Sequence, residues 1–464
     1  MAVLGPHEPP SGGRASRKSL AVPLIFAVLV ALLSVFATAA TKGVRAQALQ
    51  GKDAIYITGC TNITSPGYYV LSSNINGTQA AGYCIGVFAS DVVIYGDGHW
   101  LTGSEYYWDL GIYVAPGSTN VTIEDVAVTS YHCGILVNSS GVRVVDSNVS
   151  FVFSSNSTVS GNFYGVYVNG SNDSVVDSTV SGNWYGVGID IIGSHDSVVD
   201  SNVSYNGLGV YVNGSDNSFV GDRFVWDSLV LTGPYYEVVA NDTVNGRPLV
   251  YLYDASNVTV SDAGEVIAVN SRGVKVIGVN VSDASVGVLL LDVNDSIIED
   301  VLASGNLVGV YVNGSNDSVI NSNVSGNLWY GVNITGTDDS LVNSTVSHNY
   351  GYGVYLYDDS GTLITGNIIS KNGFYWKGTY LGCGLYMDGS RGDLIYNNLF
   401  NNTRNVCIES GFAHWNVSLR PGRNIVGGDM IGGNAWLTPN GTGFSQVTPA
   451  LPNDPYICDK PYVI

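Results

Sequence analysis

Three sets of residues have the types and spacing to do chemistry. The first is aromatic. Tyr113, Tyr167, Tyr211, Tyr311, Tyr355 and Tyr386 each stand third in a Gly-[Ile/Val/Leu]-Tyr phrase, and Tyr164, Tyr185, Tyr330 and Tyr352 stand near the glycine, joined by Trp184 and Trp329. Outward-facing rings of this kind can stack on sugars and offer hydroxyls for hydrogen bonds. The same pattern also serves plain cross-strand packing. The second set is acidic. Asp177, Asp200 and Glu299 are read as one column, continued by Asn321 and Asn343, while Asp173, Asp196, Asp295, Asp317 and Asp339 each precede a serine. Like charges one repeat apart favour a bound cation or a raised pKa, yet Asp before Ser is also ordinary turn chemistry.

The third set is defined by what it lacks. Copper needs Cys, Met or His ligands, and the six histidines (His7, His99, His132, His195, His348, His414) show no metal-ligand spacing beyond the adjacent His132-Cys133. A glycoside hydrolase needs two carboxyls about 5–10 Å apart, which stacked acids supply at any level and so single out no pair. Arg223, Arg272 and Lys275 are too scattered to nominate a lyase base.

The elements that position these residues follow from a repeat. Gly165, Gly186 and Gly209 open similar phrases at intervals of 21 and 23 residues, and the series resumes at Gly264, Gly287, Gly309, Gly331 and Gly353 at intervals of 23, 22, 22 and 22. A period near 22 marks a solenoid whose units bury their apolar faces only against neighbours. Within a unit, Gly165-Val166-Tyr167-Val168 and Ser174-Val175-Val176 alternate at period two, separated by Asn, Gly, Asp and Ser. Short strands and tight turns follow, with no stretch fit for a helix. The expected fold is therefore all-β, a single-stranded parallel β-helix of about 12 rungs of about 22 residues. Its parts are an export segment (1–48), an N-terminal cap and first rung (49–110), the β-helix (111–415) and a capping tail (416–464). Within the β-helix, 220–263 is an irregular insertion, read as an elaborated rung or an extruded flap.

Composition narrows the setting. Against 38 Asp plus Glu there are 18 Lys plus Arg, a net charge of −20, which excludes a nucleic-acid partner. Leu20 to Ala40 is one apolar run after Arg14, Arg17 and Lys18, followed by small-x-small sites. It reads as a secretory signal, or as an anchor if uncleaved, the only route to a membrane considered. Repeated Asn-x-Ser/Thr sequons suit an outside location. Six cysteines suit disulfides there; Cys60–Cys84 and Cys383–Cys407, each about one repeat apart, are the expected pairs, with Cys133 and Cys458 unassigned.

Longer phrases carry a resemblance. CTNITSPGYYVLSSNING and CIGVFASDVVIYGDGHWLTG resemble the cap of archaeal cell-surface β-helix proteins. VNGRPLVYLYDASNVTVSDAGEVIAVNSRGVKVIGVNVS, the GVYVNGSNDSVI rungs, NIVGGDMIGGNAWL and the closing PYVI resemble the periplasmic copper-binding (NosD-like) repeat family over roughly residues 55–464. The resemblance implies a right-handed coil related to carbohydrate-binding and sugar-hydrolase modules. The tail departs from relatives in lacking an Asp-rich, calcium-loop-like segment. The expectation is an extracellular or cell-surface protein without catalysis, contacting glycans or other envelope components. A polysaccharide lyase or hydrolase is the first alternative and copper handling the second. No resident cofactor is expected; calcium is the metal its acids could take, and the ligand supply argues against copper.

Overall fold

The computed structural model describes residues 54–103, 108–150, 162–233, 235–377, 379–451 and 454–458. The export segment, His7 and the closing PYVI lie outside them. One turn of the coil consists of three short strands, as in Tyr164–Val168, Ser174–Val176 and Thr179–Ser181. Each pairs in parallel with its counterpart one turn on: Val166 with Ile189, Val175 with Val198, Val180 with Val203. Val166, Val175 and Val180 are at most 2% exposed, and each such side chain contributes about 1.5–3 kcal/mol by leaving water. The architecture is a right-handed parallel β-helix. Paired turns already run through 55–110, where strands Thr61–Ile63, Tyr83–Val87 and Leu110–Val114 stack in one wall. That segment holds more of the coil than a cap and one rung.

The corners explain the recurring NGSNDS phrase. Between the second and third strands one residue turns the chain in the left-handed region: Asp125, Asp146, Asp177 and Asp200 at φ +50° to +53°, then Gly221 at +73°. Asp and Asn tolerate this conformation better than other side chains. At the corner after the first strand, a Cβ on Gly170 would collide with the Ser139 carbonyl and the Asp173 carboxyl. Asp173 turns inward there and accepts the Val142 N–H one turn back at 2.7 Å. Each turn is thus tied to its neighbour by side chains as well as strands.

The 220–263 segment is neither a flap nor a rung in register. Strands Leu229–Leu231, Val238–Ala240 and Thr243–Val244 complete a last ordinary turn. Asn245 and Gly246, both at positive φ, then reverse the chain, and Arg247–Tyr253 pairs antiparallel with Thr243–Val244. The wall continues through this hairpin as one 16-stranded sheet, eight strands before the reversal and eight after. Register shows what changes. Val244 stands opposite Arg247, so Leu249, Ile267 and Leu289 share its face, whereas Val250, Val266 and Val288 take the other. Ile267 and Leu289 belong to the core of the first coil, and Val266 and Val288 to that of the second. Strand direction and core side switch together, and this preserves the hand of the coil. Ser285 Oγ accepts the Gly209 and Ser228 N–H groups, and Glu265 accepts the Leu229 N–H, knitting the two coils.

At the far end the aperiodic tail still supplies one ladder strand, Ala435–Leu437, paired with Leu399–Asn401. Trp436 lies parallel over Phe400 at 4.7 Å and covers the end of the second core.

Candidate functional site

The hairpin divides the tyrosine column in two. Tyr113, Tyr167 and Tyr211 lie on the eight-stranded wall of the first coil, but Leu136 and Asp190 occupy the turns between them. Asp190 is buried there, and burial pushes its carboxyl up to about 6. Tyr113 packs on Tyr83 at 5.6 Å, and Tyr167 on Tyr164 at 5.4 Å. Tyr311, Tyr355 and Tyr386 lie on the 16-stranded sheet, a different wall, with Asn333 between the first two.

On that second wall the rings converge. Tyr355 and Tyr386 are parallel at 5.1 Å; Tyr330 lies 4.6 Å from Tyr355, and Tyr352 lies 4.6 Å from Tyr386. Tyr330 and Tyr352 are brought in by their own parallel pairing, 5.9 Å apart. Desolvation and the neighbouring Tyr330 and Tyr386 push the Tyr355 hydroxyl up to about 12, so the phenol stays a hydrogen-bond donor. Beside Tyr352 and Tyr386 opens a groove of about 140 Å³ that Arg404 and Glu409 also line. Cys407 faces Tyr386 across the sheet and is joined to Cys383, which fixes this edge. The other expected disulfide, Cys60–Cys84, is also formed, while Cys133 and Cys458 are free thiols.

Trp184 and Trp329 stand apart from these clusters, each about half exposed. Trp184 heads a ladder in the first coil, 6.0 Å from Tyr205, which lies 6.4 Å from Trp226. Tyr205 and Trp226 escaped the sequence reading. They follow the third strand at φ +55° and +57°, where other turns place Gly182, Gly305 or Gly326. Their alignment with those glycines was the available signal.

The acidic columns need correction. Asp177 and Asp200 are exposed turn residues, but Glu299 is not their equivalent. A bulge at Asp292 inserts one residue into Val286–Asn294, so Glu299 pairs with Ile320 and Asp300 aligns with Asn321. For the same reason Ser296, not Asp295, takes the corner position of Asp317: the Ser296 N–H donates to Asp317 at 2.7 Å. Asp295 instead pairs with Arg272 at the surface. As well as Asp190, the inward-turned corner acids are perturbed. Burial raises Asp173 and Asp317 to about 7, and Asp196 and Asp339 to about 6.

A larger cavity, about 860 Å³, lies in the C-terminal cap between Trp415, Trp436 and Phe444. Its amides are engaged by the cap itself: Asn434 donates to the Ile395 and Trp415 carbonyls, and Asn424 to that of Met430.

A disulfide-bonded parallel β-helix with an aromatic outer wall is the class that these features define. The chain belongs to the periplasmic copper-binding protein (NosD) family, whose model matches residues 47–230 and 215–441. Among curated proteins none matches it in sequence. Among solved structures it is similar to the periplasmic alginate epimerase AlgG, at 10% identity over 75% of this chain and 74% of that one, with a TM-score of 0.30. It is similar to the Azotobacter vinelandii mannuronan C-5 epimerase AlgE6 A-module at 15% identity, covering 79% and 92%, with a TM-score of 0.25. A tailspike double mutant of E. coli bacteriophage HK620, in complex with a pentasaccharide, gives 12%, 78% and 72%, and 0.28.

Among the described residues the donor set does not fit copper. Four cysteines are in disulfides, and burial pushes the Cys133 thiol up, away from the thiolate a metal needs. His132 is stacked on Phe163 at 5.5 Å, with the Trp108 ring tilted against it at 5.1 Å. His99 faces the Asn74 amide, and among the described residues no three His, Cys, Asp or Glu converge on one point.

Proposed function

We propose that this protein is an exported, non-catalytic β-helix that contacts glycans at the cell surface through the tyrosine wall of its second coil. The observation that carries the reading is the convergence of Tyr330, Tyr352, Tyr355 and Tyr386 on one outer face beside the Arg404–Glu409 groove. A pyranose presents a face of C–H groups that matches a phenol ring, and its hydroxyls match the phenol, guanidinium and carboxylate at the rim. The two disulfides suit an oxidising compartment outside the cytosol. A non-catalytic role is supported by where the perturbed carboxyls lie: on its wall Asp190 has a tyrosine, not a second acid, on either side. Asp173, Asp196, Asp317 and Asp339 are at most 3% exposed behind the turns, out of reach of a bound chain, whereas glycoside hydrolysis needs two carboxyls flanking the bond.

The test is a glycan array probed with the native protein and with a Tyr352→Ala/Tyr386→Ala variant. Binding to at least one glycan class, weakened about tenfold or more in the variant (~1.4 kcal/mol), is expected. Binding that ignores the substitution, or no binding at all, removes the reading. Release of reducing ends from a bound polysaccharide would replace it with the enzymatic alternative.

A further inference from the structure

One corner of the second coil breaks the pattern of the others. In two consecutive turns a glycine precedes the inward acid by three residues: Gly314 with Asp317, and Gly336 with Asp339. Register carries these positions to Asp359 and Thr362, then to Ser390 and Asp393. A carboxyl therefore takes the glycine's place and a hydroxyl takes the acid's. The next turn places a hydroxyl and a carboxyl directly against them.

All four side chains are enclosed: Asp359 is 2% exposed, and Thr362, Ser390 and Asp393 are 0%. Every regular corner acid has a backbone N–H on one oxygen, as Asp317 and Asp339 have from Ser296 and Asp317. Asp393 keeps this bond, from Thr362 N–H at 3.0 Å. Asp359 has none. Both its oxygens, Thr362 Oγ1 and Asp393 Oδ2 are buried without a well-aligned hydrogen bond. Burial raises the Asp359 carboxyl; the Ser390 and Thr362 hydroxyls and the Asp393 carboxyl lie close enough to oppose this by hydrogen bonding, and none of these is a cation. Ser390 Oγ also reaches the Asp388 carbonyl at 3.4 Å.

We propose that this corner is a binding site for a hard divalent cation of the calcium class, with Asp359 and Asp393 as charged ligands and Thr362 and Ser390 as neutral ones. Two carboxyls enclosed together with no basic side chain acting on them are eased by a cation or a proton between them. An oxygen-only donor set selects calcium or magnesium over copper or zinc, and calcium accepts the irregular arrangement that a turn imposes. The remaining coordination positions are available to backbone carbonyls. The cation would pin the turn at Asp359 to the turn at Ser390, where the hairpin Phe374–Trp376 and Thr379–Leu381 lengthens the connection between them. The rival occupant is a proton shared by the two carboxyls, since burial raises both, Asp393 to about 7.

The experiment uses the full exported chain after treatment with a chelator. Equilibrium dialysis against calcium at pH 7.5 should retain at least about one ion per chain. Added calcium should raise the melting midpoint by several degrees, magnesium should do less, and at pH 4.5, where protons compete, the rise should vanish. Asp359→Asn should abolish both retention and shift while melting cooperatively. Less than one ion retained by the wild-type chain overturns the proposal, and this readout holds even where the variant does not fold. No response to calcium at pH 7.5, with part of the stability gained on acidification lost in a folded Asp359→Asn variant, overturns the proposal and assigns the corner to the shared proton. A folded Asp359→Asn variant that binds calcium as wild type does also overturns it.

Discussion

The two coils close the same corner with different chemistry. In the second, Asn306, Asn327, Asn349, Asn372 and Asn402 stack one per turn at the corner after the third strand, four of them fully buried and Asn372 nearly so. Asn349 is typical: its Oδ1 accepts the Asn327 N–H and Nδ2–H at 3.0 and 2.9 Å, and its Nδ2 donates to Asn372 Oδ1 and the Val324 carbonyl. In the first coil the same ladder runs Asn183, Asn206 and ends on Asp227. The corner after the second strand repeats the contrast. There the first coil stacks Ser178, Ser201, Asp222 and Asp242, whereas the second stacks Ser322, Ser344, Asn367 and Asn398. Amide and carboxyl have the same shape, so the backbone accepts either. Their donors differ: an amide always has one, and a carboxyl has one only while protonated.

That difference should make the first coil more dependent on protons than the second, where the raised acids include Asp317, Asp339 and Asp393, and its largest consequence is a stability that falls as pH rises. The side-chain oxygens Asp222 Oδ2 and Asp242 Oδ2 are buried without partners. Burial pushes Asp227 and Glu237 up to about 8 and Asp242 to about 7, and it raises Asp222 well above the carboxylate range, as it does Glu265, which reaches in from the second coil. A folded pKa above the unfolded one means that the folded chain holds the proton more tightly. The resulting stability is complete below about pH 4 and is lost as pH climbs through 6 to 8. Across that window the loss should reach several kcal/mol, read as a falling melting midpoint. Limited proteolysis at pH 8.5 should cut the first coil before the second. A midpoint that climbs between pH 5 and 8 would break the comparison at its root.

Exchanging the two chemistries sharpens it. Asn349→Asp puts a carboxyl where Nδ2 now donates twice, facing the Val324 carbonyl and Asn372 Oδ1. It should cost about 2–3 kcal/mol at pH 8, where the buried acid must either ionise or hold its proton against the solvent, and much less at pH 4. The reverse change, Asp227→Asn, should stabilise by about 1–2 kcal/mol at pH 8 and be nearly neutral at pH 4. Denaturant titrations at both pH values check the pair, and equal effects at both would show that shape, not the proton, governs the ladder.

The strands, the solenoid and both disulfides were legible because each rests on local periodicity, which the repeat displays many times over. The chain reversal was not. Asn245-Gly246 is a hairpin signal, but Asn169-Gly170, Asn213-Gly214 and Asn313-Gly314 show the same dipeptide at ordinary corners. What separates them is the tertiary pairing of Arg247–Tyr253, which no dipeptide encodes. The tyrosines were legible as outward residues but not as two stripes, because the wall they occupy changes at that reversal. Glu299 was misplaced by the single extra residue at Asp292, since counting from Asp295 assumes that every corner has equal length.

The smallest expected effect concerns the exposed acids, which look alike in sequence and differ in purpose from the buried ones. Asp125, Asp146, Asp177 and Asp200 all turn the chain at positive φ, and the second coil uses Asp300, Asn321 and Asn343 at the equivalent step, φ +51° to +54°. What these positions share is a backbone conformation, which Asp and Asn both accept and a β-branched residue resists. Asp177→Asn should therefore change stability by less than about 0.5 kcal/mol, and Asp177→Val should cost about 1–2 kcal/mol. Both effects should be independent of calcium. If Asp177→Asn removed a calcium-dependent rise in melting midpoint, the exposed column would be a cation stripe and the contrast between inward and outward acids would fail.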